Sequence, residues 1–478
     1  MKKHSTLSTT TTIEDFTRAL PFLKKRQDKI NAILKLNRSA YRSHPKECLE
    51  LAGEALQLSS ELSNELNRAH CLLAIGSCQH VLSRYQNAEA DFIEAEEIFA
   101  HNNLPVHQAT AQHKLSAIYL EVGNYGQGKL LAEAAIECFC VQDPSRKSLP
   151  QIVLAGLYER RCDYAASFRQ LVPVLLSARQ NGHSLQEATA LNDIGNLYFY
   201  LGETGQAAQY YRQSYNLMQS LEDEAGRASL LKALGKIATE DRDYHRALRY
   251  YTDAIRLFQS LNERKGVASV EVLRGRMYLY TNEPGLALSC ANTAYELLQP
   301  IEHKELLAEC LLLFGEIALA NGEYEHAQDI LLQVLKRSRT LGHLRLQQEA
   351  SHELSAAYER LHDSTRALEY YKRFMQLTGD IGAVHQCYSI QDIANSLLSY
   401  DSISQNSDDL LKFLHSHYPE LTGTEAKVCI LIRQGHTTKE IAEILSVSSR
   451  TIEHHRLHIR SKLHLSPDRS IHAFLLAF

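Results

Sequence analysis

Basic and imidazole side chains crowd into the tail of the chain, where Arg450, His454, His455, Arg456, His458, Arg460 and Lys462 follow one another at intervals of one to four residues. From Leu421 onward basic residues exceed acidic ones by about three, whereas before it acidic residues exceed basic ones by about eight, within a formal net charge of −5. Cations gathered in one segment serve phosphate neutralisation, so any nucleic-acid contact belongs to the tail, and a protein that coats nucleic acid along its whole length is excluded. Other constellations fail on their own chemistry. Gly123-Asn124-Tyr125-Gly126-Gln127-Gly128-Lys129-Leu130 comes within one residue of a phosphate-binding loop, but Leu130 replaces the hydroxyl that would hold Mg²⁺ and no buried strand precedes it. Cys138 and Cys140, two apart on a helix, point to different faces and have no histidine at matching spacing. His454 and His458 lie one helical turn apart without a third ligand. No nucleophile, base and orienting group come together, so we expect no enzyme activity, no metal and no cofactor.

The elements that must position these side chains begin with a repeat. Ile194-Gly195, Leu234-Gly235, Arg274-Gly275, Phe314-Gly315 and Leu354-Ser355 recur every forty residues, and the frame extends back through Leu154-Ala155, Leu115-Ser116 and Ile75-Gly76 toward Leu36. Three residues past each small residue stands Tyr198, Ala238, Tyr278, Ala318 or Tyr358. About twelve past it stands Ala207, Ala247, Ala287, Ala327 or Ala367. Small residues at these points let two antiparallel helices approach closely while Leu and aromatic positions fill the gap. Breakers such as Leu201-Gly202-Glu203, Thr281-Asn282-Glu283-Pro284-Gly285 and Asn321-Gly322-Glu323 mark the turns. The spacing predicts an all-α solenoid of about nine hairpins over residues 29–378, with residues 1–28 partly disordered.

This forty-residue pattern resembles the tetratricopeptide repeat family in a version with long helices, and the resemblance covers about three quarters of the chain. It implies a right-handed superhelix whose concave groove receives a peptide or protein segment. The family's groove positions fall here on Asn192, Asn196, Lys232, Lys236 and Arg276, with Tyr200 and Tyr280 one turn further on. That set is similar to the clamps by which family members hold a carboxylate; a solvated polar groove without a ligand is the plainer alternative.

Past the repeats, the spacing predicts a capping helix around Val384–Tyr400, a linker through Asp401–Asp409, closing a boundary segment of residues 379–409, and a terminal domain over residues 410–478. A short helix at Leu410–His417 leads to Thr422 or Thr424 as a cap. Val428, Ile430, Leu431 and Ile432 lie on one helix closed by Gly435; Thr438–Leu445 forms the next; the turn Ser446-Val447-Ser448 leads to a third at Ser449–Leu463. Ala442 is small where two helices cross, and Ile441, Leu445, Val447 and Ile452 are expected between them.

Leu421-Thr422, Glu425, Gly435, Lys439-Glu440-Ile441-Ala442, Ser448, Thr451-Ile452, His455 and Ile459-Lys462-Leu463 together resemble the LuxR/GerE-type helix-turn-helix family, which often has Gly where His464 stands here. The resemblance implies that the third helix enters the major groove of double-stranded DNA. It places Ser449, Arg450, Glu453 and His454 at base edges, and Thr451, His455, Arg456, Arg460 and Lys462, with Lys439, at phosphates. A last helix, Ser466 to Phe478, apolar at Ile471, Phe474, Leu475 and Phe478, either dimerises or packs back on the domain.

The remaining composition fits this reading. Ten cysteines without a CxxC pair indicate reduced thiols, not a disulfide framework. Met1-Lys2-Lys3 is followed by Ser and Thr instead of an apolar stretch, and no run of ~18 apolar residues occurs, so we expect neither export signal nor membrane span. The expectation is a cytoplasmic, bacterial-type transcription regulator that docks a protein or peptide in its solenoid. The alternative is a scaffold whose helical tail docks protein instead of DNA.

Overall fold

The structure, a computed structural model, describes residues 13–42, 44–301, 303–386, 418, 420–433, 437–445, 447–463 and 471. Every regular element among them is helical. The chain divides into two compact units, Met1–Tyr388 and Ser389–Phe478.

The first unit contains nine successive antiparallel hairpins. The first four are Arg26–Ala40 with Pro45–Glu61, Glu65–Val81 with Tyr85–His101, Pro105–Val122 with Tyr125–Gln142, and Ser148–Arg160 with Tyr164–Asn181. The fifth to seventh are Ser184–Tyr200 with Thr204–Ser220, Glu224–Glu240 with Tyr244–Ser260, and Arg264–Tyr280 with Pro284–Leu298. Lys304–Asn321 with Tyr324–Leu341 and Leu344–Arg360 with Ser364–Gln386 complete the array.

A left-handed residue stops the helices at intervals of about twenty. Ser63, Ser83, Asn103 and Gly123 begin the series, Cys162 through Asn282 continue it, and Gly322, Gly342 and His362 end it, with φ between 49 and 82°. The amide after each such residue reaches back five positions, as in Leu104 N–H to the Phe99 carbonyl at 3.0 Å and Asp243 N–H to the Ala238 carbonyl at 2.8 Å. These bonds satisfy carbonyls that the ended helix leaves without partners. Nine of the fourteen positions are not glycine, so the glycine signals in the sequence marked only some of the stops. The rhythm breaks at Asp143, whose φ of −154° leads into the short turn Pro144–Arg146, and the helix that follows has only 13 residues.

In four of the hairpins, the glycine of the first helix receives a large side chain sixteen positions later. A Cβ added to Gly76, Gly195, Gly235 or Gly315 would stand 2.4 to 2.6 Å from a carbon of Phe92, Tyr211, Tyr251 or Leu331 respectively. All four large side chains are buried, as are Ala207, Ala247, Ala287 and Ala327 at the second helix. Burying each ring is worth roughly 1.5–3 kcal/mol, and it requires the bare backbone opposite.

The array also winds back on itself. Leu341 of the eighth hairpin covers Gly123 of the third, and His303, just before the eighth, meets Tyr85 of the second edge-on. At the amino end, Ile13–Ala19 is a helix whose Phe16 packs with Leu20 on Ile30, Ile33, Ala55 and Cys71. At the other end Ser364–Gln386 is one continuous helix, so Val384 lies inside the ninth hairpin instead of opening a separate cap. The rest of that expected cap, the linker and the helix at 410–417 lie outside the described residues.

The second unit closes over a small core of Leu421, Val428, Cys429, Ile432, Ile441, Ala442, Ile452, Ile459, Leu463 and Ile471. Its helices among the described residues are Gly423–Arg433, Thr438–Ile444 and Ser449–Lys462. One expectation fails: Val447 is 42% exposed, because it sits in the turn, while Leu445 packs partly against the core. Gly435 and the last helix, apart from Ile471, lie outside the described residues.

Gly235→Ala should destabilise the protein by about 1–3 kcal/mol through overpacking against Tyr251, read as a lowered Tm, and a second change, Tyr251→Val, should recover part of the loss.

Candidate nucleic-acid interface and repeat cavity

Three local caps orient the helices of the second unit. The Thr422 N–H donates to Glu425 Oε2 at 2.8 Å while the Glu425 N–H donates to Thr422 Oγ1 at 3.3 Å. Thr437 and Glu440 repeat the arrangement at 2.8 and 3.4 Å. Both are reciprocal caps, so of the two threonines expected at the first helix Thr422 is the one used, and Thr437–Glu440 is a second box with the local T-x-x-E signature. At the third helix, Ser448 has an extended backbone, and its hydroxyl accepts the Thr451 N–H at 3.1 Å.

With its axis fixed in this way, the third helix turns Ile452 and Ile459 inward and leaves Arg450, Thr451, Glu453, His454 and His458 exposed. The His454 and His458 rings lie 4.3 Å apart, and no group of three metal-ligating residues exists among the described residues. Lys439 on the preceding helix is exposed; His455, Arg456 and Arg460 are half-buried. Arg456 Nη1 donates to Thr438 Oγ1 at 3.1 Å, which ties the second helix to the third. Ser449 opens the third helix.

Lys462, expected at a phosphate, also has a partner within the unit. Its ammonium donates to Glu425 Oε2 at 2.7 Å, and that carboxylate is only 3% exposed. Burial pushes the Glu425 carboxyl up, but Lys462 and the Thr422 N–H and hydroxyl together hold it below the usual range. Lys462 therefore locks the end of the third helix to the start of the first, with a quarter of its side chain still exposed.

In the first unit, Asn192, Asn196, Tyr200, Lys232, Lys236, Arg276 and Tyr280 all line one cavity of about 1070 Å³. Asn192 Nδ2 donates to Asp193 Oδ1 at 3.0 Å, and Asn196 Oδ1 accepts the Tyr211 hydroxyl at 2.8 Å. Lys236 Nζ stands 4.3 Å from the Phe199 ring centre and 4.9 Å from that of Tyr200. Lys232 donates to Ser269 Oγ at 3.4 Å; burial, helped by Lys236 and Lys265, pulls its ammonium down to about 8. Arg276, expected as a clamp cation, already holds Glu316 and Glu349, each at 3.1 Å. Burial, opposed by Arg276 and reinforced by Glu349 and Glu353, pushes Glu316 up to about 7.

Two carboxylates, the half-buried Glu121 and the buried Glu305, cross from one turn of the array to the next, and neither pairing was visible in the sequence. Glu121 accepts from Lys265 at 2.9 Å and from His303 Nε2 at 3.0 Å. Glu305 takes Arg160 at 2.9 Å and the Tyr125 hydroxyl at 3.0 Å. His303 Nδ1 accepts the Leu306 N–H, so its other nitrogen carries the proton that Glu121 receives. The partners stand 144 to 182 residues apart, a distance at which no local pattern operates.

Helical hairpins stacked in this way, and a unit whose described helices share this core and these caps, define a tetratricopeptide-repeat array and a helix-turn-helix DNA-binding domain. Comparison with known proteins agrees. Residues 419–471 match the family described as bacterial regulatory proteins, luxR family, and residues 150–220 and 230–264 match tetratricopeptide repeats. Residues 419–471 thus form a luxR-family domain. A curated Escherichia coli (strain K12) protein, the uncharacterized response regulatory protein YgeK, is 36% identical over 75 residues, 16% of this chain and 50% of that protein; the chain spans half its length. Among solved structures, the fold is similar to a Rap protein complexed with competence and sporulation factor, at 14% identity and TM-score 0.51 over 78% of this chain and 92% of that one. It is similar also to the Rap conjugation gene regulator of plasmid pLS20 in complex with a peptide, at 13% identity and TM-score 0.51 over 69% and 94%. Among the described residues no helix is long and apolar enough to cross a membrane.

Two outcomes follow from these ion pairs. Glu425 stabilises its unit above the ordinary glutamate range, near 4.3, and that contribution disappears as pH falls through its depressed folded value. Glu425→Gln should flatten this acid loss, followed by hydrogen exchange of residues 423–433 from pH 7 to 3.5. Glu305→Ala leaves Arg160 with Glu159 alone and takes the acceptor from the Tyr125 hydroxyl, and should cost about 1–3 kcal/mol, seen as a drop in Tm of the repeat unit.

Proposed function

We propose that this protein is a cytoplasmic transcription regulator whose repeat cavity docks a peptide or protein segment and whose luxR-family domain carries the response to DNA. The observation that carries the reading is the outward face of Ser449–Lys462, where Arg450, Glu453 and His454 stand exposed at the start of a capped helix. A helix entering the major groove presents its N-terminal residues to base edges. On this reading Ser449, Arg450, Glu453 and His454 select sequence, and Lys439, Thr451, His455, Arg456 and Arg460 hold phosphates. Lys462 is assigned to the Glu425 pair.

The cavity supports the input half. It presents aromatic rings, amides and cations on first helices, the mixture that orients a peptide. The peptide complex of the pLS20 regulator is a property of that protein, and it supports peptide docking here only by analogy of fold.

Arg450→Ala in the full chain should cost about 1–3 kcal/mol at a selected duplex and relax base preference, while Lys439→Ala weakens all duplexes alike and reduces the salt slope by about 1. Electrophoretic mobility shifts across a salt series read both; duplex binding by the unaltered chain without salt dependence or sequence preference would sink the DNA reading. Retention from a synthetic pentapeptide library tests docking, and Lys236→Glu should abolish it.

A further inference from the structure

Aromatic rings fill the layer between successive hairpins in some repeats and not in others. At the fifth hairpin the Tyr198 ring stacks on Tyr210, with centres 5.3 Å apart and planes at 7°, and meets Phe168 of the fourth hairpin edge-on at 5.4 Å. The Tyr198 and Tyr210 hydroxyls also hydrogen-bond to each other. The ninth hairpin repeats the stack with Tyr358 on Tyr370, at 5.4 Å and 4°. Each stack joins a residue near the end of the first helix to one twelve positions later on the second.

Forty residues beyond Phe168, Tyr198 and Tyr210 stand Ala208, Ala238 and Tyr250. Two of the three rings of that layer become methyl groups, and the third ring is kept. The eighth hairpin also has alanine at the first position, Ala318, but Ile330 follows it where Tyr250 stands here. Between the fifth and sixth hairpins a cavity of about 220 Å³ opens, lined by Ala208, Ala238 and Tyr250 together. Leu234, Ile237 and Ala238, each no more than 9% exposed, give it an apolar floor. Arg212 and Arg246, both exposed, line it as well. The half-buried Tyr250 accepts at its hydroxyl from Arg246 Nε at 3.2 Å and Nη2 at 3.0 Å. A phenol that accepts in this way still has its own proton to donate.

We propose that this cavity binds a small free phenol, whose ring lies between Ala208 and Ala238 and stacks on Tyr250 as Tyr198 stacks on Tyr210. The ligand hydroxyl meets the Tyr250 hydroxyl, and the carbon opposite it rests on the Ala238 methyl. That methyl closes the inner end, so a tyrosine side chain of a partner, which carries a backbone at the same carbon, does not fit. Size agrees, since an apolar cavity of about 150 Å³ holds benzene and stays dry without it. A stacked, buried ring gains both apolar burial and the favoured offset of two aromatic faces. The bound ring touches the fifth hairpin at Ala208 and the sixth at Ala238 and Tyr250, so occupancy ties the two hairpins together. This cavity shares no lining residue with the larger one, and the proposal stands or falls independently of peptide docking.

The probe is meta-fluorophenol, titrated into the full chain and followed by fluorine NMR, with meta-fluorotoluene as the ring without a hydroxyl. Saturable binding of the phenol and weaker binding of the toluene are expected. Ala238→Tyr should rebuild the stack of the fifth hairpin, leave Tm unchanged or raised, and abolish saturable binding. Tyr250→Leu should weaken binding about two- to tenfold. Circular dichroism checks that each variant is folded. Absence of saturable binding by the unaltered chain, or equal binding by Ala238→Tyr, would overturn the site. If Ala238→Tyr fails to fold, Tyr250→Leu decides, and an unchanged affinity there rejects the stack. Equal binding of meta-fluorotoluene would overturn the phenol assignment. Displacement of the probe by N-acetyltyrosinamide as readily as by phenol would overturn the free ligand in favour of a partner's tyrosine side chain.

Discussion

The repeat unit depends on close helix crossings, which in four hairpins take the form of a bare stretch of backbone in the first helix facing a large side chain sixteen residues later. Gly195 under Tyr211 and Gly235 under Tyr251 show it most directly, since a Cβ there would stand within 2.6 Å of a ring carbon. Close approach at that crossing brings the two helices near enough for Ala207 and Ala247 to be wholly buried. It also sets the angle at which one hairpin meets the next. Small errors of angle add along a solenoid; only a repeated crossing can return the third hairpin to the eighth, where Leu341 meets Gly123.

Once the array closes on itself, its first helices face a common interior and charge is distributed by the winding. Glu121 and Glu305 stay ionised there because cations from another turn reach them. Desolvation alone would raise both. The same interior leaves Lys232 depressed beside Lys236 and pushes Glu316 up. A polar interior of this kind, with some groups fully paired and others not, separates what holds the superhelix together from what is left for a ligand.

In the helix-turn-helix unit the division of labour is similar. Glu425 is buried yet satisfied three ways, by the Thr422 N–H, the Thr422 hydroxyl and Lys462. That one carboxylate fixes both the start of Gly423–Arg433 and the end of Ser449–Lys462. Arg456 on Thr438 adds a second tie. The residues left exposed, Arg450, Glu453 and His454 among them, are carried on a helix whose position no longer depends on them.

The forty-residue period, the small residues at the crossings and the T-x-x-E and Ile-Ala patterns near the end were decided by local geometry, and so the hairpins, the helix-turn-helix and the outward face of its third helix were readable from the sequence. The seven groove residues share one cavity because they occupy one register of the first helices, a periodicity any helix imposes. What the sequence did not contain was which charges would meet. Arg276 and Lys462 are cationic at family positions, and the tertiary structure pairs them with Glu316, Glu349 and Glu425. Glu305 could not be singled out, since its partner Arg160 lies on another turn of the superhelix 145 residues away. Val447 looked apolar enough for the core, but the turn at that point carries it outward. Spacing along a chain fixes neighbours within a helix or a hairpin; pairing between turns depends on the accumulated rotation of every hairpin between them, and that exists only once the chain has folded.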